Sequence, residues 1–193
     1  MNKSKVMKWD ELNILRSSVE DLLREYRNEK NRDVRDGIVS RWCDYMEFVL
    51  CMIYAYGWES AEEIVGIVPM KDNLDDKCVN LDIKGETYRD RVLQQLEQDS
   101  ADGILRIIDT EAHRDYNTGI YDAGRLSGVR GLKKKWVTMM DDRVRDTHDY
   151  LEGMTVGIDD LFYTYDGDSA YSPGGFEDPA NNCNCRCFIT LTI

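Results

Sequence analysis

The chain has 193 residues, with 37 acidic against 25 basic side chains, six cysteines, two histidines and three prolines. That length is enough for one domain or two small ones around a packed core, and 42% hydrophobic content with 10% aromatics excludes a disordered chain. A formal charge of −12 excludes a protein whose whole surface grips nucleic acid, because neutralising phosphates takes clustered lysine and arginine.

Met1 to Asp10 shows no apolar stretch behind its charges, so no export signal is expected and the chain is read as starting inside a cell. Leu12, Leu15, Val19, Leu22, Leu23 and Tyr26 recur at three-to-four spacing among charged residues, which predicts an amphipathic helix. After the charged stretch Asn28 to Asp36, Ile38 to Tyr56 is apolar on nearly every side and predicts a helix central to its own bundle. Its apolar run Phe48 to Tyr56 is about half of the roughly 20 residues needed to cross a bilayer, so no membrane contact is expected. Gly57 is expected to end this helix, Ser60 and Glu63 to form the capping box of a short helix through Val68, and Pro69 to stop it. Lys71 to Lys84 is polar and turn-rich and reads as a linker.

Beyond it, Glu86 to Glu97 and a longer segment from about Ser100 to Tyr121 have helical periodicity, with Gly124 and Gly128 expected to break up the longer helix. Lys133 to Thr138 has the β-branched and aromatic texture of a short strand. Asp141 and Asp142 are placed to cap a helix running to Gly153, and Tyr163 to Asn182, rich in Gly, Asp, Ser and Pro, reads as a long loop. Alternation from Cys183 to Ile193 predicts a terminal strand with Cys183, Cys185, Cys187, Ile189, Leu191 and Ile193 on one face. The expected architecture is α+β: a helical N-terminal region over 1–70, a linker over 71–84, and a small α+β domain over 85–193 that ends in a β-strand.

Charge is uneven along this order. Arg125 to Arg145 holds seven basic and two acidic residues, and Asp146 to Ile193 nine acidic residues and one arginine, so a basic stripe abuts an acidic end. Three constellations could carry chemistry. On a helix, Asp141, Arg145, His148 and Glu152 would share one face, either as a solvated stripe of ion pairs or as carboxylates holding His148 for metal binding or proton transfer. The alternate cysteines could direct thiolates at a zinc ion, which favours nitrogen and sulfur donors. Two residues of strand span roughly 6.6 Å, so two neighbouring cysteines could share an ion whereas three would need a turn. The plainer alternative is that all three are small apolar residues on an inward face. Around Asp109 to Asp115, Glu111 is a candidate general base, although such a cluster reads more simply as a helix surface. Asp166-Gly167-Asp168-Ser169 lacks the remaining positions of a calcium loop, and no P-loop, GxGxxG, nucleophile elbow or HExxH occurs.

The order of motifs is more specific than any one of them. Thr110-Glu111-Ala112-His113-Arg114, Gly128, Lys134-Lys135-Trp136-Val137-Thr138, the pattern DxRxRxxHxxLxG over Asp141 to Gly153, Phe162, Pro173-Gly174, Pro179 and Asn184-Cys185-Arg186-Cys187 together resemble the phage Mu F-like head morphogenesis family of minor head proteins. The likeness runs from about Gly85 to Phe188. It implies a low-copy, non-enzymatic virion component, assembled in the host cytoplasm and associated with the portal vertex or capsid interior. Its partners would be the portal protein, major capsid or scaffold proteins, and packaged DNA, with Lys133, Lys134, Lys135, Arg143 and Arg145 facing DNA or an acidic partner. The family's shared histidine falls on His148 and its paired cysteines on Cys185 and Cys187, a donor set for zinc as a clip that closes a small domain. Cys183 lies outside the family's motif and, with His113, an aspartate or water, is a candidate fourth ligand. The chain is short for such a protein, as a prophage remnant or trimmed variant would be. Because the family's domain also occurs fused to toxin modules, the alternative is an enzyme, a zinc-dependent hydrolase or an NAD-dependent ADP-ribosyltransferase-like domain, using Glu111, Arg145 and His148.

Overall fold

The computed structural model describes residues 10–70 and 86–193, so the first nine residues and the expected linker Lys71 to Lys84 lie outside the described residues. The described residues form two compact units: residues 10–51 with 86–109, and residues 52–70 with 110–193.

The first unit is helical. The amphipathic pattern expected near the N-terminus forms two helices, α1 (Asp10–Ser17) and α2 (Val19–Asn28), and buries Leu12, Leu15, Val19, Leu22 and Leu23. The break falls at Ser18, whose hydroxyl donates to the Leu15 carbonyl at 2.7 Å and accepts from the Trp42 indole at 2.8 Å. Next comes α3 (Arg32–Val65), which contributes Val39, Cys43, Met46, Val49 and Leu50 to this core. α4 (Tyr88–Glu97) opens on a capping box. Thr87 Oγ1 accepts from the Asp90 amide at 3.2 Å, and Asp90 accepts from the Thr87 amide at 3.0 Å. Tyr88, Val92 and Leu96 are its buried side, and Tyr88 Oη donates to the Cys43 carbonyl at 3.2 Å. α5 (Ala101–Leu126) begins in this unit with Ile104, Ile107 and Ile108 buried, while Asp109 accepts from Arg16 at 2.6 Å.

The second unit takes up α3 and α5 where the first leaves them, and here four expectations are corrected. Gly57 does not end a helix; it lies inside α3, where a Cβ would come within 2.0 Å of the Tyr116 carbonyl oxygen. Gly119 on α5 meets the Tyr54 carbonyl in the same way, at 2.1 Å. The two glycines therefore let two helix backbones touch, a role no local pattern announces. Ser60 is likewise inside α3 and accepts from the Tyr116 hydroxyl at 3.2 Å instead of capping a new helix. The helix stops at Val65, before Pro69, and Gly66 turns the chain at φ +82 so that the Val68 carbonyl accepts from the Trp58 indole at 2.9 Å. Gly124, expected to interrupt α5, lies within it against the Leu191 side chain, and Gly128 falls beyond its end.

β1 (Lys133–Val137) forms as predicted and sits centrally in an antiparallel sheet of order β2-β1-β5, with β2 (Thr155–Gly157) on one side and β5 (Phe188–Thr192) on the other. Lys133 pairs with Gly157 and Thr192, and Trp136 with Ile189. The α+β class therefore holds, with helices first and a strand last. Tyr163 to Asn182 is not an open loop. β3 (Phe162–Tyr163) and β4 (Ser169–Ala170) make a hairpin, and a single turn of helix comes after it at α7 (Pro179–Asn182). Asp168 ties this lobe together by accepting from the amides of Ser169, Glu177 and Asp178 and from Asn181 Nδ2, at 2.8–3.3 Å. Trp136, fully buried, is the hub of the core, with Phe162, Phe176 and His148 around it at 5.1, 5.8 and 5.5 Å between ring centres.

Candidate metal centre

The segment from Asp141 to Gly153 is not the continuous helix expected. Only α6 (Asp146–Asp149) is α-helical, so Asp141, Arg145, His148 and Glu152 do not form one stripe. Each has a separate task. Asp141 takes both guanidinium nitrogens of Arg186, at 2.7 and 2.5 Å, and those hydrogen bonds hold its carboxyl down to about 2. Glu152 accepts from the Thr138 amide at 2.5 Å, and Arg145 donates to the Cys183 carbonyl. His148 turns inward, 1% exposed, with its ring stacked on Phe176 at 5.4 Å. Asn182 fixes that wall by bonding both the amide and the carbonyl of Phe176, at 3.0 and 2.7 Å.

The cysteines sit in a curved approach to the last strand, not in the strand. Cys183 ends α7, Asn184 adopts φ +56, and the Cys185 amide donates to the Asn182 carbonyl at 3.1 Å. Asparagine is one of the few residues that accept this left-handed conformation. The expected strand face starting at Cys183 is thereby lost, and only Phe188–Thr192 pairs with β1. The bend brings Cys185 Sγ and Cys187 Sγ to 3.4 and 3.5 Å from His148 Nδ1, and the three donor atoms lie within 4.8 Å of one another. Tetrahedral zinc with ordinary Zn–S and Zn–N bonds places sulfur about 3.6 Å from nitrogen, so the donor set fits that ion in type and in spacing. Cys183 is not part of the cluster, and His113 donates to the Cys187 carbonyl, with burial pushing its imidazole down to about 4 and hence neutral. Asn117 completes the support, donating to the His113 carbonyl at 2.9 Å and accepting from the Ile189 amide at 3.0 Å.

Without metal, the two thiols are unequal. The hydrogen bond from Cys185, helped by His148 and the Trp136 indole, favours the Cys187 thiolate against its burial, while burial pushes Cys185 up. A divalent cation would replace the protons in this cluster.

The other predicted residues fall in different places. Lys133 and Lys135 are exposed, but Lys134, the inward residue of β1, is fully buried and cannot face DNA. Its ammonium donates to the Ile158 carbonyl at 2.8 Å beneath the Tyr121 and Tyr171 rings, 4.5 and 5.0 Å away, and burial pulls it down to about 8. Arg143 is exposed. The surface expected for Thr110 to Asp115 is instead interior: Thr110, Glu111, His113, Arg114 and Asp115 are all buried, and Glu111 is ion-paired with Arg114. Glu111, Arg145 and His148, grouped in the enzyme alternative, are thus committed to Arg114, to the Cys183 carbonyl and to the two thiols respectively. Sequence reasoning missed Arg186, Asn117, Phe176 and Asn182. Arg186 had a signal, as the lone basic residue in an acidic end and next to both cysteines.

Comparison with known proteins agrees with the motif order. The profile of the family described as Phage Mu protein F like protein matches residues 76–190. The NAD(+)--arginine ADP-ribosyltransferase EFV of Enterococcus faecalis is 30% identical over 123 residues, covering 61% of this chain and 25% of that enzyme. Minor head protein GP7 of Bacillus phage SPP1 is 29% identical over 90 residues, 44% of this chain and 28% of the phage protein. The chain thus spans about a quarter of the length of these relatives. No solved structure matches it. With a profile match over more than half of its residues and a minor head protein among its relatives, the chain belongs to the phage Mu protein F like family.

Proposed function

We propose that this chain is a minor head protein acting in phage head morphogenesis, in low copy at the portal vertex or capsid interior of the virion, with portal and major capsid or scaffold proteins as partners. The family match over residues 76–190 carries this reading, and the likeness to a phage minor head protein supports it. His148, Cys185 and Cys187 act as a zinc clip that ties α6 to the approach of β5, supported by soft donors at tetrahedral spacing. Lys133 and Lys135 stand on the outer face of the sheet with Thr155 and Thr192, and with Arg143 they supply the positive contact to DNA or an acidic partner.

Quantitative mass spectrometry of heads assembled with this chain tests the first statement: a few copies per particle are expected, and absence from purified heads removes it. Metal analysis of protein purified under reducing conditions tests the clip. One zinc per chain is expected, lost in Cys185→Ser and in His148→Ala; a metal-free wild type leaves the cysteines as packed core residues. Salt titration of DNA binding tests the basic contact, which fails if neutralising Lys133 and Lys135 leaves affinity unchanged. The 30% identity to an arginine ADP-ribosyltransferase favours a second, enzymatic reading, against which stand the burial of Glu111 and its pairing with Arg114. Hydrolysis of NAD by the purified chain is its test.

A further inference from the structure

Three protein donors leave a tetrahedral ion one ligand short. Among the described residues no fourth His, Cys, Asp or Glu joins the cluster. Cys183 lies beyond the turn at Asn184, with its carbonyl held by Arg145. His113 is engaged with the Cys187 carbonyl, and both Asp141 oxygens are engaged with Arg186. The donors do, however, line a small cleft with Arg143, Arg145 and Arg186 that has room for about one water-sized atom.

The charge of this cleft selects what can enter it. A divalent ion with two thiolates and a neutral imidazole has no net charge, whereas the cleft has three guanidinium groups and the Asp141 carboxylate paired with Arg186. A ligand at the fourth position therefore meets a positive field beside buried donors, which favours an anion over water. Arg186 faces Asp141 and Arg145 faces Cys183. Arg143, with its side chain 75% exposed and 3.7 Å from Asp141, is the guanidinium positioned to turn toward a ligand. Its planar fork suits a carboxylate or phosphate group.

We propose that the metal centre takes its fourth ligand from outside the described residues, as an anionic oxygen of a carboxylate or phosphate group that displaces water in the cleft and is held by Arg143. The inference rests on the metal reading above. It makes the clip a docking point, completed by an acidic group brought to it.

Cobalt(II) substitution of the full chain under reducing conditions tests this. The visible d–d bands should shift saturably on adding inorganic phosphate or acetate, and the anion that shifts them names the source of the oxygen. Arg143→Ala should weaken that response about tenfold, as expected for one charge-assisted contact, and Cys183→Ser should leave the sulfur-to-cobalt charge-transfer intensity unchanged. Bands that respond to neither anion, an equal response in Arg143→Ala, or a loss of about a third of that intensity in Cys183→Ser each overturn the proposal while leaving the clip in place. A chain that takes up no cobalt removes the metal centre and this inference together.

Discussion

The two units bury different chemistry. Among the described residues, every buried polar or charged side chain, from Thr110 to Asn182, belongs to the second unit, while the first is packed with Leu, Val, Ile, Met and a few aromatic and cysteine side chains. Apolar packing is non-directional and tolerates exchange of side chains of similar volume. A buried hydrogen-bonded network admits few arrangements and is costly when only part of it is made. The first unit is thus held by volume and the second by partners, and the unit held by partners is the one that presents the cysteine and histidine cluster.

Substitutions can break that contrast or sharpen it. The largest effect is expected at the buried pair: Arg114→Ala removes the guanidinium from beside the Glu111 carboxylate and should cost about 3–5 kcal/mol in urea denaturation. A small loss for Arg114→Ala would erase the distinction between the units. In the first unit, fully buried Met46 should lose about 2–5 kcal/mol on truncation to alanine but less than about 1.5 on exchange for leucine, since volume is what matters there.

Gly57→Ala comes next. Were Gly57 only a weak residue in a helix, alanine would stabilise by up to about 1 kcal/mol. With a Cβ set 2.0 Å from the Tyr116 carbonyl, the expected result is a loss of about 1–3 kcal/mol, so the sign alone decides. The smallest effect is a titration. Asp141 is held below its ordinary 3.8, to about 2, by Arg186, so the contribution of this pair is complete above about pH 4 and is lost as pH falls toward 2. The Arg143 amide donates to Asp141 at 3.2 Å, and its NMR shift should titrate with a midpoint near 2; a midpoint near 3.8 would mean the pair is open in solution.

Legibility in the sequence divides along the same line. Leu12, Leu15, Val19, Leu22 and Leu23 carry their own periodicity, so their burial was legible, as was β1 from its β-branched and aromatic texture. The misreadings fall where a distant partner decides. Gly57 and Ser60 look like helix punctuation until Tyr116 is placed beside them. The stretch from Asp141 to Gly153 has helical spacing, yet its acids serve Arg186 and the Thr138 amide, contacts that cross 45 and 14 residues. Periodicity placed Cys183 with Cys185 and Cys187, and a single left-handed Asn184 separated it from them. The family resemblance named His148, Cys185 and Cys187 because it carried information about spatial proximity that one chain's spacing does not hold.

The position of β1 between its two neighbours also bears on the order in which the unit can assemble. β2 follows β1 after residues 138–154, whereas Lys133 must wait for Thr192 before its other edge is covered. Until then a strand ending in Trp136 and Val137 presents open backbone groups, the feature that lets nascent chains pair with the wrong neighbour. Cys185 and Cys187 emerge just ahead of the strand that covers this edge, so a cation captured by them and His148 would hold β5 at its docking site, shortening the interval during which the half-made sheet is vulnerable.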